Sequence, residues 1–139
     1  MESHNIEMVR ALLDAVNRRD ADAMISRIQP DYEFVPIMAA LEGRTYIGAD
    51  GVRQWLDDMK DHWELFETWP QEFHDLGDRV IAFGHWRARG RTSGVEVDGQ
   101  PATWVAWVRD GRLYRWRTFT DRDEALEAAG VTEAELLAR

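Results

Sequence analysis

The chain has 139 residues and a mass of 16.1 kDa, with 45% apolar and 31% charged residues and a formal charge of −9 from 17 basic and 26 acidic side chains. That is the size of one domain, read here as spanning residues 1–139. No apolar run approaches the ~20 residues of a membrane span, the net charge disfavours nucleic acid and anionic membranes as partners, and the absence of cysteine removes disulfides, thiolate nucleophiles and cysteine-held metals.

Charge is unevenly spread: residues 79–117 hold eight arginines against three acids, a local +5 that leaves −14 elsewhere. Met1-Glu2-Ser3-His4-Asn5 shows neither a basic nor an apolar leader, so the expected location is the cytoplasm.

Ile6, Val9, Leu13 and Val16, flanked by Met8 and Leu12, recur at helical spacing and predict a first helix ending near Asn17-Arg18-Arg19. Asp20 is placed to cap a short second helix with Met24, Ile25 and Ile28 inward and Pro30 as its stop. Residues 31–36 read as a strand and residues 37–46 as a loop. A third helix starts at Gly48-Ala49-Asp50-Gly51 and carries Val52, Trp55, Leu56, Met59 and Trp63 on one stripe.

Residues 66–75, 79–92, 102–109 and 113–120 are strand-like and separated by turn sequences at 76–78, 97–100 and 110–111, which predicts an antiparallel meander. Asp121 with Glu124 opens a helix that Gly130 closes, and Thr132 with Glu135 opens a last short one. The order predicts an α+β domain, a cone in which N-terminal helices pack on a strongly curved, mostly antiparallel sheet. Helices cannot fill such a curve completely, and the space left over is the expected small-molecule pocket.

Several strings carry a likeness to a known family. They are Ala15-Val16-Asn17-Arg18-Arg19-Asp20, Pro30-Asp31-Tyr32-Glu33-Phe34, Tyr46-Ile47-Gly48, Gly77-Asp78-Arg79-Val80, Arg91-Thr92-Ser93-Gly94-Val95-Glu96-Val97, Arg109-Asp110-Gly111-Arg112 and residues 121–130. In this order and spacing the chain resembles the SnoaL-like branch of the nuclear transport factor 2-like superfamily, which also holds ketosteroid isomerase and limonene epoxide hydrolase. The resemblance implies the cone fold, a homodimer through the sheet and one pocket used by isomerases, cyclases, hydrolases and binding proteins alike. It sets the proton-shuttling Asp of ketosteroid isomerase at Val35, its oxyanion-hole Tyr at about Leu12 and its second oxyanion-hole acid near Trp104, and it sets the last-strand Asp of the epoxide hydrolase at Thr118. None of these side chains supplies the acid or base those reactions need.

The site therefore has to be sought among other residues. Trp86, Trp104 and Trp116 fall on three consecutive strands, and if the even-numbered residues face inward they wall a cavity together with Thr118, or fill it as core. Tyr46 and Met38 lie where the mouth of such a pocket is expected, with Glu33 and Glu42 the nearby acids. The odd-numbered residues put His85, Arg87, Arg89, Arg91, Arg115 and Arg117 on the opposite face. A register shifted by one residue would instead turn His85 and Arg87 inward as an acid/base and anion-holding pair.

No metal is expected, because His4, His62, His74 and His85 lack ligand spacing, and no cofactor, because no glycine-rich nucleotide loop is present. Three functions remain open. One is a pocket protein binding a hydrophobic aromatic or polycyclic ligand. Another is an isomerase, cyclase or hydrolase working through His85 with Arg87 or through Glu33. The third is a dimeric interaction module with a filled pocket.

Overall fold

Ser3 opens the first helix by accepting a hydrogen bond from the Ile6 backbone N–H (3.2 Å), and α1 runs over His4–Arg18 with Met8, Val9, Leu12, Leu13, Ala15 and Val16 buried. The structure is a computed structural model and describes residues 2–37 and 43–138. Arg19 ends α1 in the left-handed conformation (φ 58°), its N–H donating to the Val16 carbonyl and that of Asp20 to the Ala15 carbonyl. Asp20 then caps α2 (Ala21–Ile25) through the Ala23 N–H at 3.0 Å.

This second helix is shorter than expected. Ser26 ends it, and Ile28 begins β1 (Ile28–Val35), where it pairs with Leu113. Pro30 is tolerated inside the strand because the register with its neighbour slips between Ile28 and Glu33, where a missing N–H breaks no ladder. The segment read as loop ends in a two-residue strand, β2 (Tyr46–Ile47), antiparallel to β1. Helix α3 (Gly48–His62) follows and buries Val52, Trp55 and Met59.

Trp63 was expected on the helix stripe, yet the backbone turns extended there (φ −124°, ψ 128°) and passes without a loop into β3 (Trp63–Asp75). The remaining strands are β4 (Arg79–Gly90), β5 (Glu96–Arg109) and β6 (Arg112–Phe119). The sheet order is β2-β1-β6-β5-β4-β3, antiparallel except at β1–β6. Asp110 (φ 53°) and Gly111 (φ 75°) form the tight β5–β6 turn with both central residues left-handed, as the sequence predicts.

Residues 97–100 were expected to be a turn and are part of β5. Between the pairs Trp86↔Gln100 and Ala88↔Val97 the β5 side carries one extra residue, and Gly99 (φ 67°) lies in that bulge. The chain reverses before it, where the Gly90 N–H donates to the Val95 carbonyl at 2.8 Å.

Alternation sorts the sheet into two faces. Val80, Ala82, Trp86, Ala88, Ala102, Trp104, Ala106 and Trp116 join the core made with α1, α2 and α3, which defines the inner face. The C-terminal helices α4 (Arg122–Ala129) and α5 (Glu133–Leu137) pack on the outer face, over Ile81, Phe83 and Val105. Asp121 caps α4, Gly130 closes it, and Thr132 with Glu135 forms a capping box on α5. No helix among the described residues is long and apolar enough to cross a membrane.

Candidate functional site

The inner face converges on one small cavity of about 20 Å³, between Leu13 and Val16 of α1, Trp55 of α3 and the tryptophans of the sheet. That volume holds on the order of one water. Its walls are closed by rings in mutual contact. Phe34 meets Trp55 edge-on at 4.9 Å, Trp55 meets Phe66 at 6.2 Å, and Phe66 lies 5.7 Å from Trp86. Trp86, Trp104 and Trp116 are all buried, at 6%, 4% and 1% exposure.

Few polar atoms reach this space. The Thr68 hydroxyl donates to Asn17 Oδ1 at 3.0 Å, and Trp116 Nε1 donates to the Thr118 hydroxyl at 3.2 Å. Trp86 Nε1 is buried with no hydrogen-bond partner. A donor left unpaired in a dry interior is unusual, because its desolvation is not offset. Among the described residues the lining holds no titratable side chain.

Of the residues singled out in the sequence, Trp86, Trp104, Trp116 and Thr118 come together at this cavity. Tyr46 does not. Its phenol donates to Asp58 Oδ2 at 2.7 Å and its ring lies under the Arg44 guanidinium at 5.0 Å. That hydrogen bond, with smaller contributions from Gln54, Arg44 and His62, holds the Asp58 carboxyl below its ordinary range. Met38 and Glu42 lie outside the described residues.

His85 and Arg87 lie on the outer face, so the shifted register is not the one adopted. Arg87 pairs with Glu67 at 3.1 Å and covers the ring of Trp69 at 5.1 Å, while His85 borders a shallow groove with Phe83, Pro101 and Arg122. Glu33 is also on the outer face. It lies across from Arg115 in the β1–β6 pairing and lines, with Arg115 and Arg117, an open depression of about 450 Å³. Val35 borders the same depression, whereas Leu12 and Trp104 are in the inner core.

The cavity is also lined by Thr68, which the sequence did not point to, with Asn17 behind it. Asn17 and Thr68 are 51 positions apart, and only the packing of α1 across β3 brings them to a shared hydrogen bond. Trp55 reads as ordinary core from its spacing on the helix stripe, and the sequence does not single out Phe34 and Phe66, which also line the cavity.

A family model described as the SnoaL-like domain matches residues 9–116. The chain belongs to the SnoaL-like domain family. Among curated proteins, none matches. Among solved structures, an NTF2-like protein of unknown function from Burkholderia pseudomallei K96243 is similar at 23% identity and a TM-score of 0.75, over 91% of this chain and 97% of that one. TerC, co-crystallised with polyporic acid, is 26% identical with a TM-score of 0.73, over 90% and 97% of the two chains. A protein with a ketosteroid isomerase-like fold from Catenulispora acidiphila DSM 44928, in complex with trimethylamine, is 15% identical with a TM-score of 0.73, over 91% and 94%. These likenesses match the helices-on-sheet architecture of this SnoaL-like domain and its helix-covered inner face.

Proposed function

We propose that this SnoaL-like protein binds an uncharged, hydrophobic aromatic or polycyclic small molecule between α1, α3 and the three inner tryptophans. The observation that carries the reading is the unpaired Trp86 Nε1 at an aromatic-walled cavity. It is a donor waiting for an acceptor, such as a carbonyl or ether oxygen on an otherwise apolar ligand. The co-crystallisation of TerC with polyporic acid, at 26% identity, supports the same class of function.

A single aromatic ring needs a cavity on the order of 150 Å³, several times the space now present, so binding must displace inner rings. Association is then slower than for an open pocket, because a conformational change precedes or accompanies it. Isomerase, cyclase or hydrolase chemistry would need an acid or base at the bound molecule. Glu33, His85 and Arg87 are on the other face of the sheet, which is why the reading stops at binding.

The experiment compares tetralone, an aromatic ketone, with tetralin, which lacks the acceptor. Tetralone should shift one indole N–H resonance saturably and quench tryptophan emission, and tetralin should bind at least several-fold more weakly. Trp86→Phe keeps an aromatic ring and removes the donor, so it should weaken tetralone by roughly tenfold, the worth of one hydrogen bond of ~1.4 kcal/mol. Equal binding of both compounds, or no loss in Trp86→Phe, would sink the reading.

A further inference from the structure

Arg19 occupies a position that its residue type does not suit. At the C-terminus of α1 it holds φ 58° and ψ 37°, a conformation that favours glycine because a Cβ is crowded there. Among the described residues the only other non-glycine with positive φ is Asp110, which its hairpin turn explains. Closing α1 explains the left-handed backbone of Arg19, but not why an arginine stands where glycine is the usual residue. Its guanidinium lies 5.7 Å from the ring centroid of Phe66, and Nη1 is buried with no hydrogen-bond partner. A half-buried guanidinium with one inaccessible, unpaired nitrogen thus stands at the end of α1, and an unpaired buried polar atom calls for an explanation.

Around it lies an open groove of about 550 Å³ between α2, α3 and the start of β3. Its charged lining is Arg19, Arg53, Lys60 and Arg91 against Asp57 and Glu64. Two of these six are already neutralised, Arg53 by Asp22 at 3.1 Å and Glu64 by Arg89 at 2.5 Å. Among the described residues Arg91 donates only to the neutral carbonyls of Lys60 and Trp63, at 3.0 and 3.3 Å, and no carboxylate there offsets its charge. Arg19, Lys60 and Arg91 then face Asp57 alone, a positive site in a chain whose net charge is −9. Leu56 and Trp63 supply an apolar wall beside them.

We propose that this groove binds a small amphipathic carboxylate, with its planar headgroup on the Arg19 guanidinium and its apolar body against Leu56 and Trp63. The planar guanidinium fork matches a carboxylate in two parallel hydrogen bonds, which an ammonium group does not. The groove is distinct from the inner cavity and the proposal does not rest on what that cavity holds.

The probes are phenylbutyrate, its neutral analogue phenylbutanol and inorganic phosphate, measured by calorimetry and by the NMR signals of the arginine side chains. Phenylbutyrate should bind saturably, at least tenfold more tightly than phenylbutanol, and more weakly as salt rises. Arg19→Gly should abolish this preference while folding at least as stably as the wild type, because glycine suits the left-handed position. Lys60→Gln, on an exposed site where folding is not in question, should weaken binding by two- to threefold. Unchanged binding in Arg19→Gly would overturn the proposal, and so would phosphate binding as tightly as phenylbutyrate. Saturating tetralone should leave phenylbutyrate affinity unchanged; displacement would place the carboxylate in the inner cavity and overturn the assignment to the groove.

Discussion

The two faces of strands β4 to β6 are built from alternating residues of the same segments, yet they meet opposite environments. On the inner face Ala82, Trp86, Trp104, Ala106 and Trp116 are all nearly inaccessible, and the three tryptophans help enclose a cavity of about 20 Å³. On the outer face one half is dry, with Ile81, Phe83 and Val105 under the C-terminal helices, and the other half is open and cationic, with Arg87, Arg115 and Arg117. The inner face specifies shape through ring packing and has no titratable group at its cavity. The outer face has the charge but little enclosure. Charge is thus available on the surface of this protein and apolar contact in its interior.

Truncating one tryptophan on each face should show the largest difference between the two environments. Trp116, 1% exposed and bonded through Nε1 to Thr118, should cost roughly 3–5 kcal/mol of folding stability as Trp116→Ala, read from urea denaturation. Trp69, 42% exposed with the Arg87 guanidinium over its ring, should cost less, about 1 kcal/mol, as Trp69→Ala. A loss of under ~1 kcal/mol at Trp116 would mean that the inner rings are loosely held. Such looseness would lower the barrier to admitting a ligand.

Which side chains face inward was legible in the sequence for most of β4, β5 and β6, because a strand alternates with period two and Ala82, Trp86, Ala88, Ala102, Trp104, Ala106 and Trp116 fall on even numbers. Leu113 joins the same core from an odd one, past a shift in register beside Val108. Local chemistry was legible as well, in the Asp20, Asp121 and Thr132 caps and the Asp110-Gly111 turn. The errors came where one residue type serves two purposes. Gly99 looks like a turn and makes a bulge, and Trp63 continues the helical spacing although the backbone has already become extended. The space between the faces was not legible at all, since it is a small difference between large packed volumes. The partner of Tyr46 was equally hidden: Asp58 lies 12 residues on, and only the orientation of α3 beside β2 brings the two together.

That Tyr46–Asp58 pair gives a smaller, pH-resolved effect at the rim between the faces. Asp58 has its carboxyl depressed in the folded protein, chiefly by the Tyr46 hydroxyl, so the folded state binds this proton less tightly than the unfolded chain does. The stabilisation is complete above the ordinary value of 3.8 and is lost as pH falls through the lower folded value. Tyr46→Phe should therefore cost about 1 kcal/mol near neutral pH, with the difference from wild type shrinking below about pH 4. Urea midpoints measured across that range check it, and a difference independent of pH would mean that Tyr46 contributes by packing alone.

The smallest effect on folding is expected on the outer face, where the consequence for assembly is the larger one. Arg115 and Arg117 rest on the rings of Trp107 and Phe119, at 4.9 and 5.3 Å, and no carboxylate among the described residues pairs with either. Reversing both charges, Arg115→Glu with Arg117→Glu, should change the stability of one chain by no more than about 1 kcal/mol, because each side chain is partly solvated and held only by a cation–ring contact. A homodimer through this face is nevertheless our proposal, and a two-fold contact supplies what the single chain lacks. It would let Arg115 meet the partner's Glu33 or the partner's Glu124, acids that line the same depression within one chain. Light scattering should then give twice 16.1 kDa for the wild type and 16.1 kDa for the double reversal. Both proteins running as monomers would remove the interface and leave the arginines simply solvated. A dimer that survives the reversal would move the contact to β3 and β4, where Glu67 and Arg87 already pair within one chain.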